Sequence, residues 1–191
     1  MESMRLFVAL DIPDDIRQAL AATARNLRAT CPGARWARID GLHVTLKFIG
    51  ETPGETLEPI KAALATVRAA APITLQFRGP GFFPDARRPR VLWVGIETGA
   101  ELAVLAAAVE NSLAGLGIAR DTRAFSPHLT LARFDHPRGL AALHAAIEAA
   151  GPLEFGATRA KEFHLYQSVL KRGGAEYTRL ATFSFAGRAS Q

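Results

Sequence analysis

The chain has 191 residues, 49% of them hydrophobic and 21% charged, which supplies a sizeable core and excludes a disordered or low-complexity chain. A net charge of +5, with most of the basic residues arginine, suits an anionic ligand such as phosphate or nucleic acid without requiring one. Cys31 is the only cysteine, so an internal disulfide and a thiolate metal cluster are excluded; no apolar run is long enough to span a membrane, and the expectation is a soluble cytoplasmic protein.

Taken in chain order, "RLFVAL" at residues 5–10 reads as a buried strand, stopped by "DIPDD". Asp11 or Asp14 is placed to cap a helix that runs to the breaker "CPG". "RWARIDGLHVTLKFIG" gives two short extended runs around "DG", and Leu57, Ile60, Leu64 and Val67 are spaced for a helix over 54–71. Ile73, Leu75 and Phe77 alternate as a strand before the loop "GPGFFPDARRPR". In "RPRVLWVGIET", Val91, Trp93 and Gly95 fall on one face and Leu92, Val94 and Ile96 on the other. A helix over 99–115, an extended "RAFSPHLTLARF", an Ala-rich helix over 139–150 and the strands "EFHLYQSVL" and "YTRLATFSF" complete the chain. Strands that follow one another without a helix between them argue for antiparallel sheets in an α+β architecture.

One pattern stands out from this frame: "HVTL" at residues 43–46 returns as "HLTL" at 128–131. Strand alternation puts His43, Thr45 and Lys47 on one face, with Leu42, Val44, Leu46 and Phe48 on the other; His128 and Thr130 likewise oppose Leu129 and Leu131. Two sheets facing each other across a cleft would bring both imidazoles and both hydroxyls to one point. That set suits phosphodiester chemistry. A neutral imidazole takes a proton, an imidazolium gives one, and the hydroxyls hold the phosphate oxygens as charge builds. A metal site fits poorly, since two histidines beside hydroxyls lack a third ligand. His136, His144 and His164 have no such threonine in sequence, and His144 reads as a helix-surface residue.

The sequence resembles the 2H phosphoesterase superfamily, with its two His-x-Thr/Ser-x motifs, and within it the bacterial and archaeal RNA 2′,3′-cyclic phosphodiesterases, also called 2′-5′ RNA ligases. The likeness runs from "RLFVALDIP" through "LHVTLKFIGE", "GFFPDARRPRVLWVGI" and "FSPHLTLAR" to "FHLYQSVL" and "YTRLATF". It implies one domain over residues 1–191: a bilobal α+β fold with two antiparallel sheets flanking a central cleft, helices on the outer faces and lobes related by a pseudo-two-fold. It also implies hydrolysis of a 2′,3′-cyclic phosphate to a 2′-phosphomonoester without metal or other cofactor. His43 would be the proton donor to the departing 3′-oxygen and His128 the proton acceptor that activates water. Thr45, Thr130 and Arg133 would bind the phosphate, although simple alternation places Arg133 on the Leu129/Leu131 face. The partner would be RNA or an oligonucleotide with a 2′,3′-cyclic end, met by a monomer with no membrane or protein partner. Phe48 and Tyr166 are candidates for stacking on a base, with core packing as the competing use. Arg90, clustered with Arg87 and Arg88, is a candidate for RNA phosphates, with a solvated turn as the alternative. With a 5′-hydroxyl in place of water the same groups would perform 2′-5′ ligation. Without turnover, the same cleft would be an RNA- or nucleotide-binding module.

Overall fold

The computed structural model describes residues 3–70, 72–136, 138–172 and 174–186. Strand β1 (Ser3–Leu10) ends in five consecutive buried residues, and helix α1 (Asp14–Thr30) follows. Pro13 occupies its N-cap position and Asp14 and Asp15 lie in its first turn, where their negative charge complements the positive end of the helix dipole; neither Asp11 nor Asp14 caps it through a side chain. The short strand β2 (Arg35–Trp36) and a 3₁₀ turn at Ile39–Gly41 lead to strand β3 (Val44–Pro53). Helix α2 (Leu57–Leu64), strands β4 (Ile73–Phe83) and β5 (Val91–Thr98) and helix α3 (Ala100–Ala114) precede strand β6 (His128–Arg133). Helix α4 (Leu140–Ala150) and strands β7 (Glu154–Ala160), β8 (Glu162–Lys171) and β9 (Gly174–Ser184) follow.

All strand pairs are antiparallel and form two sheets, ordered β3-β1-β8-β9 and β2-β6-β5-β4-β7. The α+β expectation holds, and the two sheets share a plan. Each repeated-motif strand pairs with the strand one helix before it, β3 with β1 across α1 and β6 with β5 across α3. The inner faces of both sheets and one side of each helix close on a single core, which includes Val8, Ile16, Val44, Ile60, Leu75, Val94, Leu105, Leu129, Leu143 and Phe163. Each large apolar side chain removed from water there contributes about 1.5–3 kcal/mol. The opposite faces stay open, and β3 touches β6 where the two sheets meet. Ala37 donates its amide to the Leu131 carbonyl at 2.8 Å, so the chain passes from the edge of one motif strand almost directly into the other motif. Among the described residues, no helix is long and apolar enough to cross a membrane.

Three elements differ from the sequence expectation. The helix expected over 54–71 is a 3₁₀ turn at Gly54–Thr56 followed by α2, which stops at Leu64. Tertiary contacts override local propensity there: Val67 turns into the core and the Ala69 amide reaches the Phe185 carbonyl at 3.2 Å. The glycines and proline of residues 79–83, expected in a loop, belong to β4, which carries a register shift between Arg78 and Pro80. Strand β7 has no counterpart in the sequence expectation; it is an edge strand whose Gly156 sits at φ +112° beside a second irregularity, at Phe77/Arg78.

Simple alternation also fails inside both motif strands. Val8 pairs with Lys47 and Ala9 with Thr45, so Leu46 is the extra residue of a β-bulge. Leu46 and Lys47 therefore both turn inward, at 5% and 2% exposure, while Phe48 swings to the open face at 61%. The Lys47 ammonium donates to Glu110 Oε1 at 2.7 Å and to the Ala119 carbonyl at 2.8 Å, and pairs with Asp121 Oδ2 at 3.1 Å. A buried cation so fully paired becomes costly when one partner is lost. Glu110→Ala, which leaves the buried ammonium short of a partner, should lower stability by about 3 kcal/mol in urea unfolding, whereas removing the exposed Glu58–Lys61 pair should change it by less than about 1 kcal/mol.

Candidate active site

His43 stands immediately before β3 and His128 opens β6. Each donates its Nδ1–H to the carbonyl two residues earlier, His43 to Gly41 at 2.7 Å and His128 to Ser126 at 2.8 Å. A carbonyl can only accept, so this contact fixes the tautomer and leaves Nε2 as the working nitrogen in both residues. The turn that supplies the Gly41 carbonyl is held by Arg17 of α1, which donates to the carbonyls of Ile12, Ile39 and Asp40 at 2.9, 2.8 and 3.0 Å.

Thr45 and Thr130 are half-buried and share the open faces with their histidines, as alternation predicted. Arg133 joins them because β6 carries the same bulge as β3. Leu92 pairs with Ala132 and Trp93 with Thr130, so Leu131 is the extra residue; Leu131 and Ala132 both turn inward. The register then returns Arg133, opposite Val91, to the face of His128 and Thr130, correcting the placement that simple alternation gave it. The two half-sites thus run His43, Thr45, Phe48 and His128, Thr130, Arg133, with the third member brought round by the bulge. Lys47, expected beside Thr45, is removed to the core by the same slip.

The surroundings of the two histidines differ. The His43 ring stacks on Phe7 at 4.5 Å and meets the edge of Tyr177 at 5.1 Å, and Phe48 adjoins Phe7 at 6.1 Å. Gly41 allows this closure, since a Cβ there would lie 2.8 Å from the Tyr177 ring. Tyr166, a candidate for base stacking, is buried at 9% and lies against Phe7 at 5.3 Å, so one of its faces is already used. Its hydroxyl donates to Asp11, and burial together with that carboxylate pushes its pKa up to about 12. Tyr166 supports the stack beneath His43. Arg179 also pairs with Asp11. His164, which has no threonine in its own strand, finds one across β9: its Nδ1 lies 3.0 Å from Thr182 Oγ1, and burial lowers its pKa.

His128 has Phe83 at its edge, 5.2 Å away, and Trp93 at 6.4 Å. Arg90 is exposed and donates to the Asp135 carbonyl at 3.2 Å, next to the Arg35–Asp135 pair; Arg87 and Arg88 donate their backbone amides to Asp85, so this cluster is a closed turn. His144 is no surface residue, because its ring packs edge-on against Phe82 at 5.1 Å. No group of three metal-ligating side chains occurs among the described residues. Phe7, Asp11, Tyr177 and Arg179 escaped the sequence reading, since their assembly depends on pairing β1 with β8 and β8 with β9.

The profile of the 2′-5′ RNA ligase superfamily matches residues 12–171. The chain belongs to this superfamily. It is 34% identical over 180 residues to an RNA 2′,3′-cyclic phosphodiesterase of Archaeoglobus fulgidus, covering 94% of this chain and 99% of that one. A second relative of the same name, from Aeropyrum pernix, is 37% identical over 142 residues, covering 74% and 80%. Among solved structures, TT0787 of Thermus thermophilus superposes with a TM-score of 0.78 at 33% identity, covering 96% of this chain and 99% of that one. E. coli LigT complexed with 3′-AMP gives 0.75 at 28% identity, covering 96% and 98%.

Burial under the aromatic rings pushes the His43 pKa from about 6.5 down to about 4; the Gly41 carbonyl partly offsets this, and Arg17 adds to the fall. The folded state therefore favours the neutral ring. The stability this contributes is complete above pH 6.5 and is lost as pH falls toward 4, because the unfolded chain takes up the proton first. In thermal melts followed by circular dichroism, the wild-type midpoint should fall more between pH 7 and pH 4 than that of His43→Gln.

Proposed function

We propose that this chain hydrolyses the 2′,3′-cyclic phosphate at an RNA or oligonucleotide end to a 2′-phosphomonoester, by paired histidine acid–base catalysis without a metal or other cofactor. The observation that carries the reading is the doubled half-site: two imidazoles with Nδ1 pinned to a backbone carbonyl, each beside a threonine on the open face of strands that touch. The names of the relatives from Archaeoglobus and Aeropyrum support the substrate, as do the E. coli LigT structures complexed with 3′-AMP, NADP+ and phosphate. Thr45, Thr130 and Arg133 hold the non-bridging oxygens, where an exposed guanidinium offers a fork to the growing charge. His128 takes a proton from water as its oxygen bonds to phosphorus. The bond from phosphorus to the 3′-oxygen breaks, and His43 protonates that oxygen. Phe48, exposed beside this point, is the ring available to stack on a base.

A donor at His43 must hold a proton at neutral pH, and in the free protein it does not. The phosphate anion supplies the missing term: a negative charge within about 4–6 Å favours imidazolium, and the face of Phe7 favours it further. Histidine ¹⁵N spectra at pH 7 should therefore show His43 neutral in the free protein and protonated when a nucleoside 2′-phosphate is bound. A ring that stays neutral in that complex would reverse the two roles.

The deciding experiment is product analysis on an RNA with a 2′,3′-cyclic end. A 2′-phosphate is expected, unaffected by a chelator, and His43→Ala and His128→Ala should each lower turnover by about 10²-fold or more. A cyclic end that binds but stays intact would establish the non-catalytic binding module instead.

A further inference from the structure

Strand β2 adds one residue to the second half-site. Arg35 lies directly opposite Arg133 in the β2–β6 ladder, and directly opposed residues share a face, so its guanidinium stands on the open face beside the proposed phosphate grip. Two like charges in that position repel. Among the described residues a carboxylate answers only one of them: Asp135 accepts from Arg35 at 2.7 Å, while Arg133 has no acidic partner. Arg90 reaches the same spot and donates to the Asp135 carbonyl at 3.2 Å. Three guanidiniums thus gather near one carboxylate at the edge of the sheet.

The arrangement has a direction. On the other side of Thr130 and Arg133 the open face is aromatic: Trp93 lies opposite Thr130, and Phe83 lies in the row of Arg133, across Val91. Past these rings is a cavity of about 420 Å³ beside His128, whose Arg78 is already paired with Glu97. Arg35 is placed otherwise. Its side chain is 68% exposed on β2, the outermost strand of the sheet, and a surface ion pair holds its charge. Such a pair contributes little to stability, so the guanidinium can turn from Asp135 to a phosphate, which suits its planar fork.

We propose that Arg35 binds the phosphate one nucleotide upstream of the cyclic end, so that the site selects the end of an RNA strand over a lone nucleotide. The proposal rests on the phosphodiesterase reading, with Thr130 and Arg133 on the cyclic phosphate. Opposed Cβ atoms stand about 5 Å apart, and each arginine carries a long stem, so the two forks reach two phosphates joined through a single ribose. A cyclic mononucleotide has only the first of these phosphates, and an oligonucleotide has both. The upstream contact lies away from the bond that breaks, and no proton passes through it. Arg35 is therefore a specificity residue, and Asp135 is the partner it gives up when the strand arrives.

The test compares adenosine 2′,3′-cyclic phosphate with adenylyl-(3′→5′)-adenosine 2′,3′-cyclic phosphate, which adds one upstream phosphate. The wild type should prefer the dinucleotide. Arg35→Ala should lower the ratio of kcat/KM for the dinucleotide to that for the mononucleotide by about tenfold, the usual loss for a charge-assisted hydrogen bond. A methylphosphonate in place of the upstream phosphate removes the charge and keeps the nucleoside. It should lower the wild-type ratio by the same factor and leave that of Arg35→Ala where it was. Asp135→Ala, which breaks the same ion pair, should not lower the ratio. Equal losses on both substrates in Arg35→Ala would make Arg35 a brace for Arg133 and overturn the proposal. So would a matching fall in Asp135→Ala, since the ion pair alone would then matter, or a ratio indifferent to both the variant and the methylphosphonate. If the phosphodiesterase reading itself fails, the wild type leaves both cyclic ends intact.

Discussion

In each motif strand two successive side chains turn to the core, Leu46 with Lys47 in β3 and Leu131 with Ala132 in β6, and the open face downstream depends on that slip. An unbroken ladder would bury Phe48 and Arg133 behind the sheet and put Lys47 and Ala132 on the open face in their stead. One extra residue per strand changes the register by one and so exchanges faces. The apolar pressure that drives Leu46, Leu131 and Ala132 inward thus also turns an aromatic ring and a guanidinium outward. Lys47 shows the demand this makes. The bulge carries an ammonium into the core, and the fold answers with two carboxylates and a carbonyl. Because Ala119 and Asp121 lie in the segment leading toward the second motif, this pairing also ties the first motif strand to the approach of the other.

The two half-sites differ in solvent access. His43 is enclosed by Phe7, Tyr177 and the supported ring of Tyr166, and the enclosure strips it of a proton. His128 stands at the mouth of a cavity. The same short motif thus stands in two environments, one enclosed by aromatic rings and one beside an open cavity.

The pair of histidines, their threonines and the antiparallel α+β plan were legible because they depend on local composition and period-two alternation. The face assigned to Arg133 was wrong, as was that assigned to Lys47, because a bulge leaves no mark in a run such as "TLKF" or "TLAR"; only the pairing of Val8 with Lys47 and of Leu92 with Ala132 reveals it. Tyr166 was legible as an aromatic in a strand, but its buried place under Phe7 follows from the β1–β8 register. The length of α2 was overestimated, because the competing contact comes from Phe185, far along the chain. Short-range signals carried the chemistry, and long-range pairing carried its surroundings.

The surroundings of His43 have a further consequence for the order in which the protein is made. Tyr177 and Arg179, which close and brace that histidine's enclosure, lie in β9, the last strand. Every strand of the sheet that bears His128 is present once residue 160 has been added. During synthesis from the N-terminus, the second motif therefore has its complete sheet while the first still stands in a half-built one. The motif that comes first in the sequence is the last to acquire its working environment.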